Sequence, residues 1–149
     1  MVQKTFMERA IGHACAAFER GEVPVGAVLV DRNGKELAAD GNRVEEQCDP
    51  TAHAEMLVLR VGAKKLGMPR LPECDLYVTL EPCPMCAQAI SFARIRRLYF
   101  GASDLKGGGV ENGPRLFAQS TCHHHPEVYG GIDEVHASYL LKDFFAARR

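Results

Sequence analysis

The strongest constraint on how this chain folds comes from two short motifs, His53-Ala54-Glu55 and Pro82-Cys83-Pro84-Met85-Cys86. Each motif follows a predicted loop or strand and opens a predicted helix. One imidazole and two thiolates suit a zinc ion, because zinc in proteins is held by nitrogen and sulfur ligands. Cys83 and Cys86 are three residues apart and share one helical face, so both can reach one ion. The fold must therefore bring two helix N-termini together around one metal.

The number of protein ligands distinguishes a catalytic zinc site from a structural one. Three protein ligands leave the fourth position of a tetrahedral zinc open for water, as in catalytic sites. Glu55 lies two residues from His53 and is not needed as a ligand, so it is available for proton transfer. A structural zinc would need a fourth ligand, and the run His123-His124-His125 offers candidates in a predicted surface loop. A Cys-x-x-Cys pair by itself also fits a redox site.

Hydrophobic periodicity and turn residues predict a helix and then a β-hairpin in the first part of the chain. Residues 4–20 carry apolar side chains at helical spacing, and Gly21 is a natural helix stop. A β-rich run at residues 23–30 precedes Asn33-Gly34, a dipeptide typical of hairpin turns. Residues 35–39 are therefore predicted to return as a second strand.

The second part of the chain continues with alternating helices and strands. The predicted segments are, in order, a helix to about residue 66 capped by Asp49 and Thr51 around Pro50, a strand at 74–80, a helix at 84–93, a strand at 95–100, a glycine-rich loop at 101–114, a short strand at 127–132 and a helix at 133–148. The core-facing residues expected on the last helix are Val135, Tyr139, Leu140, Phe144 and Phe145. This order implies an α/β fold with helices packed on a mixed sheet.

The bulk composition fits one compact domain covering residues 1–149. The chain is 46% hydrophobic, and no apolar run approaches the roughly 20 residues of a membrane span. The N-terminus lacks the pattern of a secretory signal peptide, so we expect a cytoplasmic protein. Its six cysteines are not expected to form disulfides, and Cys15 and Cys74 are expected in the core.

Charge does not identify a substrate class. The net charge is −1 and the pI is near 6.6, whereas nucleic-acid-binding domains are usually basic. Arg94, Arg96 and Arg97 form one local cluster, and Arg148 and Arg149 end the chain. Both clusters fit a solvated helix end and a solvated tail.

His-x-Glu combined with Pro-Cys-x-x-Cys is the signature of zinc-dependent nucleobase deaminases, and through it the chain resembles the cytidine deaminase superfamily. It is more specifically similar to the bacterial tRNA-specific adenosine deaminases over nearly its whole length. The similarity lies in residues 21–28, 41–43, 49–55, 76–83, 93–95, 100–102 and 143–145. The chain departs from that family at residues 106–109, where Lys-Gly-Gly-Gly replaces Lys-Thr-Gly-Ala, and in residues 110–125.

The resemblance implies a cytidine deaminase-like, three-layer α/β/α sandwich with a central mixed five-stranded sheet, and a homodimer. It implies hydrolytic deamination of adenosine to inosine at the wobble position of a tRNA, with the anticodon stem-loop as the bound partner. It also implies one Zn2+ per subunit on His53, Cys83 and Cys86, with water or hydroxide as the fourth ligand. Glu55 is then the catalytic proton carrier.

The resemblance further implies contacts to the substrate. In the family, the position matching Asn42 hydrogen-bonds the target base, and those matching Ala54 and Cys83 supply backbone N–H groups near the reacting centre. His124 corresponds to a histidine in a segment that contacts the anticodon loop. Further expected contacts are Val28, Leu80, Pro82 and Asp104.

Two other functions fit the same motifs. A deaminase of a free nucleobase or nucleoside, of the guanine or cytosine type, would share every zinc residue. Such an enzyme tends to close its pocket with the C-terminal segment, whereas an RNA enzyme keeps the mouth open and basic. A non-catalytic zinc-dependent RNA-binding module is a more distant alternative, against which Glu55 and the missing fourth ligand argue.

Overall fold

A computed structural model of the chain contains a five-stranded sheet covered by helices on both faces. It describes the backbone of residues 2–148 and the side chains of residues 6–148. The α-helices are α1 (Val2–Glu19), α2 (Ala54–Leu66), α3 (Pro84–Phe92) and α4 (Glu134–Ala146). The strands are β1 (Gly26–Val30), β2 (Glu36–Gly41), β3 (Asp75–Leu80), β4 (Arg97–Ala102) and β5 (Glu127–Tyr129), and a short 3-10 helix lies at Leu116–Ala118.

The sheet has the strand order β2-β1-β3-β4-β5 and is mixed. Strand β1 pairs antiparallel with β2 and β3, whereas β3 with β4 and β4 with β5 are parallel. The predicted hairpin is confirmed, and Gly34 at its turn has a φ of 79°, which glycine adopts without steric cost. Helix α3 forms the crossover between β3 and β4, which places its N-terminus at the carboxyl end of β3.

Each face of the sheet has its own hydrophobic cluster. One cluster packs Leu29 and Leu76 of the strands against Val58 of α2 and Ile90 of α3. The other lies under α1 and α4 and includes Met7, Ala10, Ile11, Val28, Val30, Tyr77, Tyr99 and Ala137. Successive strand side chains point to opposite faces, so continuous apolar runs serve both clusters. The expected three-layer α/β/α sandwich with a mixed five-stranded sheet is confirmed.

The predicted caps of α2 are wrong. Asp49 Oδ1 accepts hydrogen bonds from the Thr51 backbone N–H at 2.8 Å and from Thr51 Oγ1 at 2.7 Å, so both side chains are used within the preceding turn. Helix α2 begins at Ala54, with His53 as its N-cap residue and no side-chain capping bond. The imidazole therefore projects from the end of α2 towards α3.

The predicted core face of α4 is partly wrong. Val135, Tyr139 and Phe145 are 81%, 67% and 47% exposed, whereas Ala137 is buried. Ala137 lies so close to β4 that a Cβ on Gly101 would stand 3.1 Å from its methyl group. This contact fixes the rotation of α4 and turns Val135 and Tyr139 outward.

Three smaller expectations concern membranes, cysteines and the basic tail. No helix in the described part of the chain is long and apolar enough to cross a membrane. All six cysteines are free; Cys74 is buried as predicted, and Cys15 is half-buried against the α1 cluster. The guanidinium carbon of Arg148 lies 3.5 Å from the centre of the Phe144 ring, while Arg149 lies outside the described residues.

Candidate metal centre and active site

The three predicted ligands meet where two helices begin. His53 is the N-cap residue of α2 and Cys83 is the N-cap residue of α3, with Cys86 one turn further along α3. His53 Nδ1 lies 3.7 Å from Cys83 Sγ and 3.5 Å from Cys86 Sγ. The three donor atoms all lie within 4.8 Å of one another. Free N–H groups at helix N-termini favour the negative charge that thiolates carry.

The spacing of these donors fits a zinc ion. Zinc bonds of about 2.3 Å to sulfur and about 2.1 Å to nitrogen, at tetrahedral angles, place neighbouring donors about 3.6 Å apart. The observed separations of 3.7 and 3.5 Å agree with that value. Within residues 6–148 no fourth His, Cys, Asp or Glu joins this group, and His123-His124-His125 lies elsewhere. The donor set therefore matches a zinc position that stays open on one side.

The three ligands also shift one another's pKa values. The hydrogen bond with Cys86, together with that from His53, lowers the pKa of the Cys83 thiol to about 4. The same pairing with Cys83, together with burial, raises the pKa of Cys86, because adjacent thiolates repel each other. The hydrogen bond with Cys83 also raises the pKa of His53. A divalent cation among the three donors would ionise both thiols and leave the imidazole neutral.

Glu55 lies in the first turn of α2, beside the metal ligands. Its side chain is 3% exposed, and burial raises the pKa of its carboxyl group to about 6. A carboxyl group with a pKa near neutrality can both accept and release a proton at physiological pH. Glu55 lines the same cavity as His53 and Cys83, so it can exchange protons with a molecule bound there.

Two of the ligands, His53 and Cys83, line a cavity of about 670 Å³. The predicted contacts Asn42, Leu80 and Asp104 line it. Phe144 and Arg148 of the C-terminal segment also reach it. A volume of this size accommodates a nucleobase or nucleoside.

Asn42 is held in a defined orientation at the cavity. It is 7% exposed, and its Oδ1 accepts a 2.8 Å hydrogen bond from the backbone N–H of Ala54. Arg20 donates to the backbone carbonyl of Asn42 at 2.9 Å. With its oxygen engaged, the side-chain amide keeps its N–H donors available for a bound molecule. The Ala54 N–H is engaged by the same bond, so it contacts a substrate only if that bond is exchanged.

Besides Ala54, three predicted contacts lie outside the wall of this cavity. Val28 is fully buried in the cluster beneath α1, which does not support its expected place in a pocket wall. Pro82 is buried, and its carbonyl accepts a 2.8 Å hydrogen bond from the backbone N–H of Gly109. His124 Nε2 lies 2.8 Å from the carbonyl oxygen of Ile95, so this ring fixes its loop against the start of β4.

Two buried carboxylates at the cavity were not predicted as site residues. Glu22 and Glu81 are each 2% exposed, and both line the cavity. Glu22 accepts backbone N–H bonds from Glu45 at 3.1 Å and from Glu46 at 2.8 Å. Glu22 directly precedes the apolar segment that contains β1 and Glu81 directly follows β3, and a charge at such a boundary is the sequence signal that could have identified them. The loops that supply the donors are remote in sequence, so the partners could not be read from the pattern.

Sequence comparisons place the chain among known deaminases. Residues 1–102 match the family model described as the cytidine and deoxycytidylate deaminase zinc-binding region. A tRNA-specific adenosine deaminase from Agrobacterium fabrum is 57% identical over 150 residues, covering 100% of this chain and 98% of the relative. Another from Bacillus subtilis is 44% identical and covers 97% of this chain and 89% of the relative.

Among solved structures, the chain is more similar to a tRNA deaminase than to a guanine deaminase. One from studies of A-to-I editing by tRNA:A34 deaminases at the wobble position of transfer RNA has a TM-score of 0.90 and 58% identity, covering 92% of this chain and 99% of that chain. A guanine deaminase from Bacillus subtilis has a TM-score of 0.63 and 42% identity, covering 66% of this chain and 63% of that chain. Identity, coverage and structural similarity are all higher for the first.

Proposed function

The chain belongs to the cytidine and deoxycytidylate deaminase family, with tRNA-specific adenosine deaminases among its full-length relatives, and we propose that it converts adenosine to inosine at the wobble position of a tRNA anticodon. The observation that carries the proposal is the open His-Cys-Cys donor set with a buried carboxyl group beside it. The reaction is hydrolytic: adenosine and water become inosine and ammonia.

His53, Cys83 and Cys86 are proposed to hold one zinc ion per chain, with the fourth position left to water. When bound there, zinc supplies an activated water molecule near neutral pH. The two helix N-termini favour the charge of the thiolates, and the buried setting strengthens every electrostatic interaction with the reacting atoms.

Glu55 is proposed to carry the protons. It accepts a proton from the attacking water and passes it to a ring nitrogen of adenine. A C–O bond then forms at the ring carbon that bears the amino group. Glu55 next takes the proton from the new C–OH group and delivers it to that amino group; the C–N bond breaks as the C=O bond of inosine forms, and ammonia leaves. The pKa of Glu55, raised to about 6 by burial, suits a group that is alternately protonated and ionised.

Asn42 is proposed to recognise the edge of the target base. Its oxygen is bonded to Ala54, which leaves its amide N–H groups as the donors that this residue can offer at the cavity wall. Leu80 and Asp104 form adjoining walls. A base stacked within an anticodon loop cannot reach the ligands, so the nucleotide must leave the stack and enter the cavity.

The guanine deaminase similarity supports a second candidate, deamination of a free base. Such an enzyme would use the same ligands and the same carboxylate, so the centre itself does not choose between them. The full-length similarity to tRNA-specific enzymes favours RNA, as it covers nearly all of both chains. A non-catalytic zinc-dependent RNA-binding module is disfavoured, since it would have no use for the buried Glu55.

The deciding experiment supplies the zinc-loaded protein with an arginine tRNA bearing an ACG anticodon, beside guanine, cytosine, cytidine and adenosine. We expect inosine at the wobble position and no ammonia from the small molecules. Consumption of guanine with unchanged tRNA would establish the free-base alternative. Ammonia release from none of the substrates would revive the non-catalytic module.

The assembly and location are proposed on the same basis. We propose a homodimer, to be tested by light scattering at micromolar concentration, where a monomeric mass would contradict it. We propose a cytoplasmic location because that is where bacterial tRNA is modified. Fractionation of cells with an antibody to the chain tests this point.

A further inference from the structure

A second buried carboxylate, Glu81, begins the short segment that leads from β3 to the ligand Cys83. Its Oε1 accepts hydrogen bonds from the Asp104 backbone N–H at 3.0 Å and from Asn112 Nδ2 at 2.7 Å. Its Oε2 accepts three backbone N–H bonds, from Val110 at 3.1 Å, Glu111 at 2.8 Å and Asn112 at 3.0 Å. Within residues 6–148 no ion pair joins Glu81 to a cation. Its charge is therefore balanced by N–H dipoles alone.

All five donors belong to one loop, residues 104–112, which we call the anchor loop. Asp104 and Asn112 are its two ends, so the carboxylate closes the loop on itself. A Cβ at Gly108 would stand 2.5 Å from Glu81 Oε2 and 2.5 Å from the Asp104 carbonyl oxygen. The anchor loop can therefore lie directly on the carboxylate because a glycine occupies this position.

The anchor loop is also bonded to the segment that carries the metal ligand. The backbone N–H of Gly109 donates to the carbonyl of Pro82 at 2.8 Å. A Cβ at Gly109 would stand 2.6 Å from the backbone nitrogen of Pro84. Two residues of the loop, Asp104 and Gly107, line the catalytic cavity. Glu81 thus joins one wall of the cavity to the ligand segment.

We propose that Glu81 is a positioning residue that holds the anchor loop in the conformation required to bind the substrate. The inference rests on the proposed function and deepens it, since it names what sets the wall formed by Asp104 and Gly107. Glu81 acts through this wall and transfers no proton, because both of its oxygens are already occupied by fixed donors. Substrate binding is therefore expected to depend on Glu81 more strongly than the chemical step does.

The test is Glu81→Gln in the full-length, zinc-loaded protein. An amide has one oxygen and one NH2 group, so in either orientation its N–H groups face at least two N–H donors of the anchor loop. We expect KM for the ACG tRNA to rise about tenfold, with kcat changed by less than about threefold and zinc content unchanged. Hydrogen–deuterium exchange should quicken in peptides that cover residues 110–112.

Glu111→Gln is the matched control, because this exposed side chain lies in the same loop but accepts none of these bonds. It should leave KM and exchange unchanged. Gly108→Ala is the second test, since its methyl group would displace the loop while the carboxylate stays intact. Gly12→Ala controls for it, because a Cβ there meets nothing within 4 Å.

The outcomes separate the two proposals. A folded, zinc-loaded Glu81→Gln enzyme with wild-type KM and wild-type exchange would overturn the positioning role. Faster exchange with unchanged KM would show a purely structural role and overturn it as well. If Glu81→Gln fails to fold, Gly108→Ala decides by the same two readouts. Wild-type protein that is inert on tRNA contradicts the proposed function instead, and wild-type exchange at residues 110–112 of the variant would still overturn the anchoring.

Discussion

Two of the three buried carboxylates that line the cavity, Glu55 and Glu81, have opposite surroundings. Glu55, at the start of α2, lies beside two thiols, and burial raises the pKa of its carboxyl group to about 6. Burial also opposes the ionisation of Glu81, but its backbone and side-chain N–H bonds outweigh burial and hold its pKa below the usual value. The number of fixed donors makes the difference. A carboxylate that exchanges protons has few fixed N–H donors, whereas a carboxylate that holds a loop has all of its acceptor positions occupied by such donors.

The largest effect is expected from removing the metal, because this should abolish the chemistry at Glu55 and leave the anchor loop at Glu81 intact. Cys86→Ser replaces one sulfur ligand, so we expect zinc binding and all deamination to be lost. Elemental analysis and ammonia release measure both. The anchor loop should stay in place, because Glu81 holds it without the metal. Full zinc occupancy in this variant would contradict the ligand assignment.

Glu81→Gln should lower stability by about 2–3 kcal/mol at neutral pH, because buried N–H donors to a charged group lose their acceptor. Urea unfolding measures the loss, and Glu111→Gln should change stability by less than about 0.5 kcal/mol. Since the folded pKa of Glu81 is depressed, its contribution is complete above its ordinary pKa of 4.5 and is lost as the pH falls through the folded value. The difference in unfolding free energy between wild type and Glu81→Gln should therefore disappear at acidic pH.

Glu55 should show the opposite dependence on pH in the metal-free protein. Its folded pKa of about 6 lies above the usual 4.5, so its contribution is complete below pH 4.5 and is lost as the pH rises through 6. Glu55→Gln does not have to bury a charge, so it should be more stable than wild type by about 2 kcal/mol above pH 6. Urea midpoints with a chelator at pH 4.5 and 7.5 test this. Equal urea midpoints of wild type and variant at pH 7.5 would contradict this, because they would show that ionised Glu55 does not destabilise the folded protein.

The smallest effect is expected at Glu22, which holds the loop on the other side of the cavity. It accepts two backbone N–H bonds where Glu81 accepts five N–H bonds in all. Glu22→Gln should therefore cost about 1 kcal/mol, less than Glu81→Gln, in the same urea experiment. A larger loss than at Glu81 would show that donor number does not determine the anchoring strength.

The metal centre could be predicted from the sequence because its constraints are local. Cys83 and Cys86 share one turn of α3, and the His-x-Glu motif at the start of another helix identified His53 as the third ligand. The outward rotation of Val135 and Tyr139 could not be predicted, because it depends on Ala137 meeting a distant strand. The hydrogen-bond partners of Glu81 could not be predicted for the same reason, since they lie in a loop that follows β4.

The order of helices and strands along the chain followed from alternating patterns, and the three-layer arrangement followed from the family resemblance, whereas the start of α2 did not follow from either. Asp49 has the chemistry of a helix cap, yet its oxygen is taken by Thr51 within the preceding turn. Whether this oxygen bonds within the turn or caps the helix is decided by tertiary contacts, which sequence patterns do not contain.

The most direct test of the catalytic assignment compares zinc-loaded wild type with Glu55→Gln on the ACG tRNA. We expect equal zinc content, inosine at the wobble position with wild type, and a rate at least about a hundredfold lower with the variant, because proton transfer is lost. Deamination by Glu55→Gln at the wild-type rate would contradict the role of Glu55 as proton carrier.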